Sequence, residues 1–355
     1  MVRIIAEAGV NHNGDRDLAF ELVKAAAEAG ADAVKFQTFN AERLAALTAP
    51  KALYQEETTD ARESQLEMLK KLELPEAWHV DLQSYARELG IVFISTAFDV
   101  QSLAFLQLLD LPYYKVPSGE ITNGPLLLAF AQTGKELIVS TGMATLGEVE
   151  QALAIIAYGY YHKEDPQKLE DIWRFWSTDR AWQIIRDRVS LLHCTSQYPT
   201  PMEEVNLKAM DTLAITFGIP VGYSDHTAGL LIPAAAVARG ATIIEKHFTL
   251  DRSMPGPDHK ASLEPLELNS MVNQIRQLEV ALGDGVKRPQ ASEWNTRQAA
   301  RQQLLVAEPV MRGEKFSRSS LVSARCGRGI SPMNLWDWVG EVADRDYLPG
   351  DVLKA

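Results

Sequence analysis

Two histidines, His226 and His247, each close an apolar run, in VGYSDHT (221–227) and EKHFT (245–249). Imidazoles from neighbouring strands could share one divalent ion and leave its other positions to water and substrate. Mixed nitrogen and oxygen ligands suit Mn²⁺ or Co²⁺ better than a closed structural zinc. An ion with open positions acts as a Lewis acid on a carbonyl. Other apolar runs end in cations and hydroxyls: Lys35 and Gln37 in KFQTF, then Ser95, Thr96 and Phe98 in STAFD. KVPSGE adds Lys115, Ser118 and Glu120, STGMAT adds Ser140, and Ser224 stands two residues before His226. Such groups, with backbone N–H groups at helix starts, suit a phosphorylated or carboxylated ligand. Glu7, Glu120 and Asp258 are the acid/base and hydroxyl-binding candidates. His12 of NHNG, His193 of HCTSQYP and His259 of GPDHKAS rank lower, and Cys194 reads as a packing residue.

Each residue alone has an ordinary explanation. A Ser-Thr-Gly after a strand commonly caps a helix, a lone histidine is commonly a hydrogen-bonded core group, and Lys35 or Lys246 could snorkel or pair with a carboxylate. Their coincidence is what those explanations miss. Eight short apolar runs, at 3–7, 32–36, 91–95, 113–117, 136–140, 189–193, 219–223 and 241–247, alternate with amphipathic stretches. Apolar residues in the latter recur every three or four positions and glycine often ends them. Eight β-then-α units predict a (β/α)8 TIM barrel, with a doubly wound sheet as the rival. In a barrel the strand ends form the site, and every strand here delivers polar groups to that end.

Two segments depart from the alternation. Residues 158–188 are too long and aromatic for a simple connection and predict an inserted helical excursion packed on the barrel's flank or on a partner. After the barrel (1–284) comes a linker-like tract (285–296) and then a compact, mostly-β module (297–355). The 355 residues are 46% hydrophobic, enough for a large domain and a small one. No apolar run is long enough to span a membrane, and the N-terminal stretch lacks the core length and cleavage site of a signal peptide. A net charge of −12 speaks against nucleic acid, and two cysteines, Cys194 and Cys326, fit a reducing cytoplasm.

The ordered motifs AEAGVNHNG, VKFQTF, APKALYQ, STAFD, KVPSGEITN, STGMAT, LLHCTSQYPTP, VGYSDHT, IEKHFTLD and GPDHKASLEP resemble the sialic acid synthase family essentially end to end. The resemblance implies a (β/α)8 barrel followed by a small SAF (antifreeze-like) domain. It implies condensation of phosphoenolpyruvate with N-acetylmannosamine, giving N-acetylneuraminate and phosphate by a metal-assisted aldol-type reaction. A sibling activity, making legionaminic acid, pseudaminic acid or a 9-phosphorylated sialic acid, shares every barrel motif, and no extra basic cluster demands a phosphorylated sugar. A Schiff-base aldolase working through Lys35 or Lys246 is a rival of different chemistry. Carried over by position, the resemblance gives the metal, usually Mn²⁺ with Mg²⁺ or Co²⁺ as alternatives, to His226 and His247. It gives phosphoenolpyruvate to Lys35, Thr96, Lys115, Ser118, Ser140 and Ser224. The acceptor sugar, an N-acylated hexosamine, falls to Glu7, Gln37, Phe98, Glu120, Tyr198 and Asp258. Arg325 would reach the acyl group of the sugar in a partner subunit, within a domain-swapped homodimer. Where the family commonly reads RPGNG this chain reads RCGRG, with Cys326 and Arg328 in place of proline and asparagine. The tract TSQYP, with Ser196, also departs from the usual asparagine- or glutamate-containing versions.

Overall fold

The structure is a computed structural model that describes residues 1–60 and 62–353, so the last two residues of the expected C-terminal module lie outside it. The chain divides into two compact units, Met1–Gly283 and Asp284–Ala355.

The first unit contains eight parallel strands: β1 (Arg3–Gly9), β2 (Ala33–Thr38), β3 (Val92–Ala97), β4 (Tyr113–Val116), β5 (Glu136–Ser140), β6 (Val189–His193), β7 (Val221–Asp225) and β8 (Ile243–His247). The hydrogen-bonded ladder runs β3-β2-β1-β8-β7-β6-β5-β4, and β3 and β4 lie side by side to complete a (β/α)8 barrel. A helix precedes each next strand, from Arg16–Glu28 to Leu231–Ala238, and Pro265–Leu282 follows the last. Asp15, Asp99, Asn123 and Thr145 cap the starts of four of these helices with side-chain acceptors.

Strand periodicity sets the interior. Ile5, Ala33, Ile94, Tyr113, Ile138, Leu192 and Ile243 form one buried layer inside the barrel. Gly222 completes it, because a Cβ there would collide with the Ile243 carbonyl and the Leu192 side chain. Two residues further along each strand the side chain points inward again. Those positions are Glu7, Lys35, Thr96, Lys115, Ser140, Cys194, Ser224 and Glu245, so the apolar floor is overlaid by a polar layer.

The excursion between β5 and β6 folds into helices Leu169–Trp176 and Asp179–Arg188. They pack on the flank of Leu146–Tyr161: Trp176 is buried, stacks near Trp182 at 4.4 Å and donates to Glu150 at 3.0 Å. The second unit pairs β9 (Gln302–Val306) antiparallel with β10 (Leu321–Arg325) around a small core that includes Leu304, Phe316, Leu321 and Tyr347.

Candidate functional site

A cavity of about 500 Å³ opens at the C-terminal ends of the barrel strands. Its floor is an ion network. Lys35 Nζ lies 2.5 Å from Glu7 and 3.6 Å from Glu245, and donates to Thr96 Oγ1 at 3.3 Å. Lys115 Nζ donates to Glu245 at 3.1 Å, and the Ser224 hydroxyl donates to the same carboxylate at 2.8 Å. All six side chains are buried. Burial would raise the Glu245 carboxyl, but Lys115, Lys35 and the Ser224 hydrogen bond overcome it and hold Glu245 well below the ordinary range. Burial does raise Glu7, with Lys35 opposing. Burial would lower Lys35, yet Glu245 and Glu7 together keep it above its ordinary value, hence charged. Gln37 donates to the outer side of Glu7 at 3.2 Å.

Above this floor stand two imidazoles. Ser224 is in register with Glu245 and Asp225 with Lys246, so the next step up brings His226 beside His247, ring centroids 5.5 Å apart. His226 Nδ1 donates to the Thr195 carbonyl at 2.7 Å, which leaves Nε2 with a lone pair; it accepts from the Tyr198 hydroxyl at 3.1 Å. Burial depresses His226 to about 4. His247 is also held well below its ordinary value, by burial and by His226, and its buried Nδ1 has no hydrogen-bond partner. Asp258 approaches that nitrogen at 3.7 Å and is pushed up to about 7 by burial and by Glu7. Two neutral imidazoles fit a divalent cation, which at His226 Nε2 would take the place of the Tyr198 hydrogen. Among the described residues no third histidine, cysteine or carboxylate joins them in a ligating cluster. The arrangement therefore offers two protein ligands and leaves the remaining positions to water or substrate.

On the β4 to β6 side of the cavity, hydroxyls gather around a close-packed glycine, chemistry that suits an anion. The Ser118 hydroxyl accepts from the Gly142 N–H at 3.1 Å, and Ser196 faces the same spot. A Cβ on Gly142 would strike Ser118, Ser196 and Cys194, so only glycine allows the backbone this close. Ser140 Oγ is buried without a hydrogen-bond partner, while the helix cap in STGMAT falls to Thr145 instead. An orphaned buried hydroxyl costs stability and calls for a partner, which an ordered water or a ligand group would supply. Burial raises the Cys194 thiol, which keeps it protonated between Ser118 and the strand end. The outer wall is apolar: Val10, Phe39, Met68 and Leu72 form one cluster with Phe98 against it, beside Tyr54, Gln55 and Glu120.

Every barrel residue assigned above to metal, phosphoenolpyruvate or sugar lines this cavity, and Arg325 lies exposed at the end of β10 in the other unit. The lower-ranked histidines do not line it. His12 accepts from the Gly14 N–H at 3.0 Å, and His193 donates to the Val205 carbonyl at 3.0 Å and lines a separate cavity behind β5 and β6. His259 bonds Thr249 at 2.7 Å and Asn13 at 3.1 Å. With Asn11, which donates to the Phe248 carbonyl and to Ser262, these contacts tie the NHNG loop to the segment carrying Asp258. Ser95 points outward, to Thr38 at 2.6 Å. Lys246, named as a possible Schiff-base lysine, also points outward and is locked to Asp225 at 2.6 Å. Strand parity corrects that expectation: Lys246 follows Glu245 and precedes His247, so it must face the helices. The same parity could have found Glu245, which the sequence reading passed over. Tyr54 and Gln55 reach the cavity from a helix before β3 that gives no strand-end signal.

Known proteins resemble this chain in sequence and in fold. The sequence model of the NeuB family matches residues 22–287. The N,N'-diacetyllegionaminic acid synthase of Campylobacter jejuni is 46% identical over 351 residues, covering 99% of this chain and 98% of that protein. The enzyme of the same name from Legionella pneumophila is 46% identical over 350 residues, covering 99% and 92%. The crystal structure of the N-acetylneuraminic acid synthetase of Leptospira borgpetersenii, in complex with citrate, superposes with a TM-score of 0.67 at 35% identity, over 83% of this chain and 90% of that one.

Proposed function

The chain belongs to the NeuB family, and from that premise we propose that it condenses phosphoenolpyruvate with a di-N-acetylated six-carbon amino sugar, yielding an N,N'-diacetyllegionaminic acid and phosphate. It is a transferase of the phosphoenolpyruvate-dependent nonulosonic acid synthase type. Phosphoenolpyruvate contains no nitrogen, so both acetamido groups of such a product arrive on the acceptor. The relatives thus favour the sibling activity over N-acetylmannosamine, which brings one acetamido group. The observation that carries the reading is the juxtaposition, in one barrel mouth, of a two-lysine, hydroxyl-lined anion cradle and two neutral imidazoles.

Lys35 and Lys115 offset the charge of the phosphate and carboxylate, and Thr96, Ser118, Ser140 and Ser224 orient their oxygens. Glu7, Gln37, Tyr198 and Asp258 hold the acceptor with its aldehyde toward the imidazoles. A divalent cation, most simply Mn²⁺, would be held by His226 and His247 and would supply Lewis-acid polarisation of the carbonyl. The enol methylene carbon bonds to the aldehyde carbon, water adds at the enol carbon, and the C–O bond to phosphate breaks. Glu7 is already held by Lys35, so Glu120, which receives a single 2.7 Å hydrogen bond from Asn123, is the freer base for the water's proton. Holding both substrates in attack geometry can supply up to ~7–11 kcal/mol. The proposal includes the swapped homodimer, in which Arg325 meets the acyl group of the sugar bound by the partner.

The test is phosphate release from phosphoenolpyruvate across acceptors bearing one acetamido group, two, or a phosphate. Preference for the doubly acetylated sugar supports the proposal; release with the singly acetylated sugar alone returns the reading to N-acetylneuraminate synthesis. A dimer by light scattering, with acceptor KM raised in Arg325→Ala, tests the swapped assembly.

A further inference from the structure

Lys246 and Asp225 form an ion pair with both side chains fully buried, outside the cavity and unused by the chemistry above. They face each other in register on β8 and β7, one residue short of His247 and His226. Asp225 also accepts from the Thr227 backbone N–H at 3.0 Å and from the Thr227 hydroxyl at 3.1 Å. Lys246 closes the ring by donating to the Thr227 carbonyl. Both neighbours of His226 are therefore tied to the residue preceding His247. The His226 carbonyl is fixed in turn by the Thr200 N–H at 2.9 Å.

A buried ion pair contributes little net stability, because the desolvation of both charges offsets their attraction, and apolar replacements are often neutral or better. Its best-attested use is to fix register. Register matters here because a one-residue slip between these strands would turn one imidazole out of the barrel. We propose that Lys246 and Asp225, with Thr227, are positioning residues that set the spacing of His226 and His247 for a shared divalent cation. The inference rests on the two-histidine metal reading given under the proposed function.

The test compares Mn²⁺ and Co²⁺ binding, by calorimetry and by the Co²⁺ visible spectrum, between the full-length protein and the double variant Lys246→Met/Asp225→Asn. Removing both charges together avoids stranding either one, so the melting temperature should stay within about 3 °C. The expected result is metal affinity weakened roughly 10–100-fold with an altered Co²⁺ spectrum, while phosphoenolpyruvate binding without metal is unchanged. A folded double variant that binds metal within twofold of the parent overturns the inference. If the double variant does not fold, Thr227→Val, which removes one arm of the ring, must still weaken metal binding at least threefold or the inference fails. A parent protein that binds no divalent metal overturns both this inference and the metal reading, whereas phosphate release reports on the condensation separately.

Discussion

Glu245 accepts a hydrogen bond from Lys115 at 3.1 Å on the cavity floor, and both side chains are almost fully buried. Breaking one side of a buried pair costs ~3–5 kcal/mol, because the remaining charge is left uncompensated. Glu245→Gln should therefore lower the melting temperature of the protein by roughly 5–8 °C. An unchanged melting temperature by calorimetry would contradict the network.

The proposed function gives Lys115 a second duty, toward an anionic substrate. A hydrogen bond to a charged group is worth about 1.5–3 kcal/mol, so Lys115→Met should raise the KM for phosphoenolpyruvate by roughly 10–150-fold. The acceptor KM should move much less. Equal losses on both substrates would mean that the lysine does not face the phosphoenolpyruvate seat.

Exhaustive chelation should abolish phosphate release, and Mn²⁺ should restore it. His226→Ala and His247→Ala should each reduce kcat by at least about 100-fold, the cost of losing one catalytic charge-stabilising group. Activity that survives in metal-free buffer would instead require chemistry without a cation. In that case, borohydride trapping should label Lys35, since Lys246 is sealed behind the strands.

His79 makes the barrel acid-sensitive away from the site. Its Nδ1 donates to the Pro75 carbonyl at 3.1 Å and its Nε2 accepts from Thr38 at 2.7 Å, among Phe93 and Phe105. Burial lowers it from 6.5 to about 4, and His12 nearby is lowered likewise. As pH falls from 6.5 toward 4 the unfolded chain takes up these protons before the folded one, so stability drops across that window. At ~1.4 kcal/mol per pKa unit, His79 accounts for up to about 3 kcal/mol. Melting curves should show His79→Gln losing less stability than the parent between pH 6.5 and 4. Parallel curves would remove His79 from the explanation.

Much of this protein is written in its sequence. Period-two apolar runs alternating with period-3.6 stretches dictate eight β-then-α units, and polar residues follow each run because strand ends in a barrel face the site. His226, His247, Lys35 and Lys115 could be read that way because each is a polar group that interrupts or closes an apolar run. Parity was the harder signal. Within EKH, adjacent residues face opposite sides, so Glu245 and His247 enter the cavity while Lys246 pairs with Asp225 behind it. Composition alone gives all three equal standing; parity separates them once the closed barrel defines which side is inside. Tertiary structure likewise decided that His12 and His259 brace loops, that Thr145 rather than Ser140 caps a helix, and that Tyr54 and Gln55 reach the cavity. Those outcomes depend on contacts between segments far apart in the chain, where local periodicity carries no information about which groups meet.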